Sequence, residues 1–239
     1  RPGTVGICAA IMNKYNVDAV PHVLCGGFTK EDTENLLIDL DFLGIDNIVA
    51  LRGDAVKNET YFMATPGGHT FASELVAQIS DLNKGIYLEE ELVQASATDF
   101  CIGVSGYPEK HTEAPSLDTD IQYLKEKIVA GADYIVTQMF FDNSKFFDFQ
   151  EKCHAAGIDV PIIPGLKPIA TRRQLNLLPH RFHVDLPEAL IQAVMTCKDN
   201  KAIKQVGIEW CIAQSKELQQ AGVPFLHYYS MGKSENIKA

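Results

Sequence analysis

Ile48-Val49-Ala50-Leu51-Arg52-Gly53-Asp54 is a short apolar run that stops on a charged pair around a glycine. It lacks polar–apolar alternation, so it reads as a strand covered on both faces, as in a parallel sheet. Side chains just past the C-terminal end of such a strand lie where parallel α/β proteins keep their chemistry. Arg52 and Asp54 are therefore site candidates. The competing reading is a polar Arg-Gly-Asp turn.

Around this stretch one signature recurs: a helical segment ends in glycine, a small or apolar residue and Asp or Pro follow, and a new apolar run begins. It appears at Leu43-Gly44-Ile45-Asp46, Ala130-Gly131-Ala132-Asp133, Ala156-Gly157-Ile158-Asp159 and Ala221-Gly222-Val223-Pro224. Glycine there fits the left-handed helix cap, where a Cβ is costly. The predicted strands after these caps are Asn47–Leu51, Tyr134–Phe140, Pro161–Gly165 and Phe225–Met231; Ala19–Cys25 and Phe100–Tyr107 complete a set of six. Helical periodicity runs between them. Thr29-Lys30-Glu31-Asp32 resembles a capping box ahead of the stripe Leu36, Leu37, Leu40, Leu43. Further helices are expected from about Thr4, after Ser116, from about Asn143 and from about Asn200.

Strand alternating with helix means parallel strands and right-handed crossovers, hence an α/β fold. No Gly-x-Gly-x-x-Gly follows a strand, which weakens an open dinucleotide-binding sheet. Polar residues end nearly every strand: His22, Arg52 and Asp54, Tyr107 with Glu109 and His111, Gln138, Lys167, Tyr228 with Tyr229. That favours a (βα)8 TIM barrel whose first two strands precede the given residues. No linker divides the chain, so residues 1–239 are expected to form a single barrel domain, incomplete at its N-terminus. Two connections are long, Ala55–Thr70 and Lys167–Pro187, and long loops at the catalytic end serve as lids or substrate contacts.

The formal net charge of −10 argues against nucleic-acid and anionic-membrane surfaces, which need a basic patch. Six scattered cysteines without a Cys-x-x-Cys pair read as buried thiols of a reducing cytoplasm, and the histidines show no ligand spacing, so no metal is expected. Tyr107-Pro108-Glu109-Lys110-His111 carries an aromatic, a carboxylate and an imidazole suited to acid–base work or cofactor binding; a plain turn is the alternative. Gln138 interrupts an apolar strand, and a buried amide must find a partner or cost about 1–3 kcal/mol. Phe140, Phe141, Phe146 and Phe147 read as core. No Gly-x-Ser-x-Gly elbow supports a hydrolase.

Taken in order, these strand ends resemble the bacterial-type methylenetetrahydrofolate reductases. The matching pieces are Pro21-His22, Val49 to Asp54, Tyr107 to His111, Thr137-Gln138-Met139-Phe140-Phe141-Asp142, Ile163-Pro164-Gly165, and Ala221-Gly222-Val223 with His227-Tyr228-Tyr229. The resemblance implies a flavoprotein barrel with non-covalent FAD, reduced by NADH or NADPH, that passes a hydride to methylenetetrahydrofolate in a ping-pong cycle feeding methionine synthesis. It also implies a cytoplasmic homo-oligomer with small-molecule partners. His22, Leu51, Arg52, Gly53, Asp54, Phe71, Ala72, Tyr107, His111, Asp120 and Lys127 match positions that line FAD. Asp54 matches a carboxylate near the flavin pyrimidine edge and Gln138 an amide contacting nicotinamide and folate, the two expected catalytic residues. Leu178 matches a loop position that stacks on the substrate. The chain departs from the family where Phe71 replaces a tyrosine, Tyr123 and Glu126 replace an asparagine and an arginine, and Leu178 replaces an aromatic. The family's general-acid glutamate belongs to a strand expected upstream of Arg1. Two rivals are a barrel lyase or aldolase using Lys167, and a non-catalytic flavin- or folate-binding barrel.

Overall fold

A computed structural model describes residues 3–55, 59, 61–89, 92, 95–232, 235, 237 and 238. In chain order the described elements are α1 (Thr4–Tyr15), β1 (His22–Leu24), α2 (Lys30–Phe42), β2 (Asn47–Leu51), α3 (Ala72–Leu82), β3 (Cys101–Gly106) and α4 (Leu117–Val129). They continue with β4 (Tyr134–Met139), α5 (Asn143–Ala155), β5 (Ile162–Leu166), α6 (Gln174–Phe182), α7 (Glu188–Met195), α8 (Asn200–Gln220) and β6 (His227–Tyr228). The sheet follows chain order, β1-β2-β3-β4-β5-β6. His22 pairs with Val49, Asn47 with Cys101 and Gly165 with His227, all in parallel. Parallel neighbours joined through helices are what the sequence pattern predicts.

The chain packs as two compact units, one reaching to Ser105 and including Glu126–Ile135, the other comprising Gly106–Lys125 and the chain from Val136. In the first, the Thr29 hydroxyl accepts from the Asp32 N–H (3.1 Å) and the Asp32 carboxylate accepts from the Thr29 N–H (3.0 Å), a complete capping box. Leu37 and Leu40 are buried one helical turn apart, and α3 buries Leu75, Val76, Ile79 and Leu82. β2 is apolar because Ile48, Val49 and Ala50 are all buried. Beside it, the Tyr134 ring lies where a Cβ on Gly103 would approach to 2.4 Å, and the Tyr134 hydroxyl donates to the Ile48 carbonyl (3.3 Å).

The second unit holds two apolar clusters. One gathers Met139, Phe141, Ile169, Leu178, Val184, Leu190, Val194 and Ile203; the other gathers Phe140, Phe146, Leu166, Cys211, Leu218 and Val223. Phe140, Phe141 and Phe146 are thus core, as expected, and Phe147 is half-buried against them. Gly207 lets α8 press on the loop after β5, since a Cβ there would sit 1.9 Å from the Ile169 carbonyl oxygen.

The structure departs from the sequence reading in several places. α3, α6 and α7 fill stretches without a predicted helix. β1 begins at His22, so that residue opens the strand instead of closing it. β6 shrinks to two residues, because Phe225 and Met231 lie exposed at 65% and 73%. Part of the Ala55–Thr70 connection, residues 56–58 and 60, lies outside the described residues. Among the described residues no helix is long and apolar enough to cross a membrane, and no cluster of three metal-ligating side chains occurs.

Candidate functional site

In the first unit, β2 ends where the sequence places it. Leu51 and Arg52 are half-buried, Asp54 is exposed, and Gly53 turns the chain with φ of +91°. The end of β1 is pinned alongside: Cys25 N–H donates to the Leu51 carbonyl (3.0 Å) and Gly26 N–H to the Arg52 carbonyl (3.2 Å). The Arg52 guanidinium lies over the Phe62 ring at 5.1 Å, a cation–π contact that orients it. Phe71 is exposed and opens α3, whose first residue, Ala72, is half-buried. The Glu74 carboxylate accepts the Thr70 and Phe71 N–H groups, and the Phe71 carbonyl takes the Cys25 thiol at 3.6 Å, tying this turn to the end of β1. His22 keeps an open edge, yet desolvation lowers its pKa, so its imidazole is neutral near pH 7. Lys127, at the end of α4, donates from Nζ to the Ser105 carbonyl near the end of β3 (2.6 Å).

In the second unit, Tyr107 and His111 meet edge to face, centroids 4.7 Å apart. The turn between them closes with Lys110 N–H on the Tyr107 carbonyl (3.1 Å). Asp120, in the first turn of α4, accepts the His111 backbone N–H at 2.8 Å. The Glu113 N–H donates to His111 Nδ1 (3.2 Å), which requires that nitrogen to be unprotonated. One part of the expected cofactor set is therefore a built local cluster.

Gln138 is half-buried, and its Oε1 accepts the Met139 N–H at 3.0 Å. Its partner question is half answered: the carbonyl end is tied to backbone, while Nε2 meets no acceptor among the described residues. A fixed carboxamide with a free donor suits a ligand carbonyl. Leu178 is 2% exposed within an apolar cluster, so in this conformation it packs against the core and offers no surface for stacking.

Lys167, the strand-end lysine that a lyase or aldolase would use, lies just past β5. It is 9% exposed, desolvation lowers its pKa, and its Nζ donates to the Tyr229 carbonyl at 3.4 Å. The signal was a lysine inside the run Ile162 to Ile169. Tyr229 donates its hydroxyl to the Thr137 carbonyl (2.8 Å), and burial pushes its pKa up to about 12. The cysteines are free; burial pushes the Cys25 and Cys153 thiols up to about 12 and Cys211 to about 11, which makes them poor nucleophiles.

A family model described as methylenetetrahydrofolate reductase matches residues 1–239. Methylenetetrahydrofolate reductase 1 of Schizosaccharomyces pombe is 33% identical over 236 residues, 98% of this chain and 37% of that protein. The 5,10-methylenetetrahydrofolate reductase of Escherichia coli is 31% identical over 239 residues, 98% of this chain and 73% of that protein. The chain spans only 33% to 38% of the length of four eukaryotic relatives. Among solved structures, an uncharacterized protein from Clostridium thermocellum described as binding two copies of 5-methyl-5,6,7,8-tetrahydrofolic acid superposes with a TM-score of 0.55 at 16% identity, covering 95% of this chain and 73% of that one. At that identity the likeness is one of fold, α/β and TIM-barrel-like.

Proposed function

From the premise that the chain belongs to the methylenetetrahydrofolate reductase family, we propose that it reduces 5,10-methylenetetrahydrofolate to 5-methyltetrahydrofolate with electrons from NADH or NADPH. The family match over the whole chain carries the reading. Bound FAD would supply the hydride-transfer chemistry between the nicotinamide and the folate.

The residues present fit such a cofactor. Among the described residues a Cβ built on Gly53 meets nothing within 4 Å, which leaves the turn after β2 open to close approach by a ligand. On the family membership we assign His22, Leu51, Arg52, Gly53, Asp54, Phe71, Ala72, Tyr107, His111, Asp120 and Lys127 to FAD. Arg52 and Lys127 supply the positive charge that a diphosphate needs on a chain of net charge −10. His111 meets the Tyr107 ring edge to face and accepts the Glu113 N–H at Nδ1, which orients its imidazole. Asp54 would set a carboxylate beside a bound flavin, where it would disfavour negative charge and favour hydride donation. Gln138, its Oε1 held by Met139, presents Nε2 to the carboxamide of nicotinamide or the carbonyl of the pterin ring. Leu178 reaches the substrate only if α6 shifts to uncover it.

The test is spectroscopic. The purified full-length protein, supplied with FAD, is expected to be yellow, to bleach anaerobically with NADH or NADPH, and to recover its colour on adding methylenetetrahydrofolate. A colourless protein that takes up no added FAD overturns the proposal.

A further inference from the structure

The turn after β3 carries a group that the flavin reading does not use. Glu109 sits between Pro108 and Lys110 and turns inward; one carboxylate oxygen accepts the Asp185 N–H, while the other, Oε1, is buried with no hydrogen-bond partner among the described residues. Burial pushes this carboxyl up to about 7, against the opposing pull of the Asp185 N–H. Both chain segments that meet here hold non-glycine residues at positive φ, Lys110 at 79° and His183 at 53°. Such conformations cost about 1 kcal/mol or more and persist where the surroundings enforce them. Lys110 is held by its own ammonium, bonded to the His111 (3.1 Å) and Ala114 (2.6 Å) carbonyls.

Glu109 faces a cavity of about 300 Å³ inside the second unit. Pro108 and Leu117 give it an apolar side. Lys145, Asp148 and Lys152 line it from one face of α5, at positions i, i+3 and i+7. His183 and Asp185 line it from the loop after α6. Lys145 and Asp185 pair at 3.5 Å and offset one another. Among the described residues Lys152 and Asp148 have no ion-pair partner, so the groups left for a ligand are two carboxylates and one ammonium, with the His183 imidazole beside them.

That set selects by charge. A phosphate or other dianion meets Glu109 and Asp148 and is repelled. A metal ion lacks its ligands, since no three metal-ligating side chains converge among the described residues. A small zwitterion satisfies the set: its ammonium donates to the unpartnered Glu109 oxygen with Asp148 beside it, and its carboxylate meets Lys152. At about 30 Å³ per water-sized atom, the cavity holds a ligand of roughly ten non-hydrogen atoms. The geometry points to a binding site for a free α-amino acid with an aliphatic side chain, its ammonium on Glu109, its carboxylate on Lys152 and its side chain against Pro108 and Leu117. The inference does not rest on the flavin reading, because none of these groups is assigned to FAD.

The test is titration of the full-length protein at pH 7.5 with L-leucine, followed by the backbone amide resonance of Asp185. Two half-probes are run beside it: isovalerate, which lacks the ammonium, and isoamylamine, which lacks the carboxylate. Saturable movement of the Asp185 resonance with leucine is expected, with both half-probes at least tenfold weaker. Glu109→Gln keeps an acceptor for the Asp185 N–H and is expected to weaken leucine at least tenfold. Lys152→Gln alters an exposed side chain that the fold does not need and is expected to do the same. No saturable shift up to 50-fold the protein concentration at millimolar leucine, isovalerate binding as tightly as leucine, or both variants binding like the parent would each overturn the assignment.

Discussion

Replacing Glu109 by Gln should change how stability depends on pH. In the folded protein burial raises this carboxyl from 4.5 to about 7, with Asp142 and Asp185 adding to the rise and Lys145 opposing it. Unfolding releases the group to water, where it ionises at its ordinary value. Between those two values the folded chain holds a proton that the unfolded chain has lost, so stability falls as pH climbs from about 4.5 to about 7 and levels off above. At about 1.4 kcal/mol per pH unit, the gap sets a ceiling of about 3 kcal/mol. Solvent screening of a half-buried group trims this to about 1–2 kcal/mol. For a chain of this length that corresponds to about 2–8 °C in Tm. Differential scanning calorimetry of parent and Glu109→Gln at pH 5, 6, 7 and 8 isolates the effect, since every other titrating group cancels in the difference. The parent is expected to lose that amount relative to the variant between pH 5 and 8. A Tm difference that stays constant across the range would refute the buried, proton-holding carboxyl.

Gly207→Ala reverses a rule: alanine in a helix interior gains about 1 kcal/mol over glycine, but here the new methyl meets the Ile169 carbonyl 1.9 Å away, and a net loss of about 3 kcal/mol is expected in urea unfolding. A stabilised variant would show that α8 does not lean on that loop. Gln138→Ala is expected to slow both flavin reduction by NADH and folate reduction by about tenfold or more in stopped flow, and unchanged rates would remove it from the site. Asp54→Asn is expected to slow folate reduction more than flavin reduction, and equal effects on the two would count against its assigned role.

Much of the fold is written in local signals. β2 runs over Asn47–Leu51 as its unbroken apolar run predicts, and Thr29 and Asp32 form the capping box their spacing suggests. The four cap glycines, Gly44, Gly131, Gly157 and Gly222, all adopt positive φ. What was missed divides by cause. α3 has an apolar stripe at helical spacing, Leu75, Val76, Ile79 and Leu82, but no side-chain N-cap marks its start at Phe71. α6 carries Pro179 in its interior and starts without a side-chain cap, so its pattern resembles a loop. Leu178 illustrates a deeper limit: an apolar residue has the same sequence pattern whether it faces a ligand or a core, and only packing decides. The partnerless oxygen of Glu109 is likewise a property of burial, which a five-residue motif cannot express.

The Arg52-Gly53-Asp54 turn allows the two readings of that motif to be separated. Gly53 holds φ of +91°, and a Cβ there would find nothing within 4 Å among the described residues. Glycine is therefore selected either by backbone strain alone or by something that comes close only when bound. Strain alone limits the cost of Gly53→Ala to about 1–2 kcal/mol of stability, or roughly 2–8 °C of Tm. A ligand against the turn adds a second cost that appears only in binding. Measured together, Tm and FAD affinity distinguish the cases. If the turn cradles the cofactor, affinity should fall at least tenfold while Tm drops by no more than the strain permits. If affinity holds while Tm falls, Gly53 serves only the chain reversal, and Arg52 and Asp54 lose the argument that made them site residues.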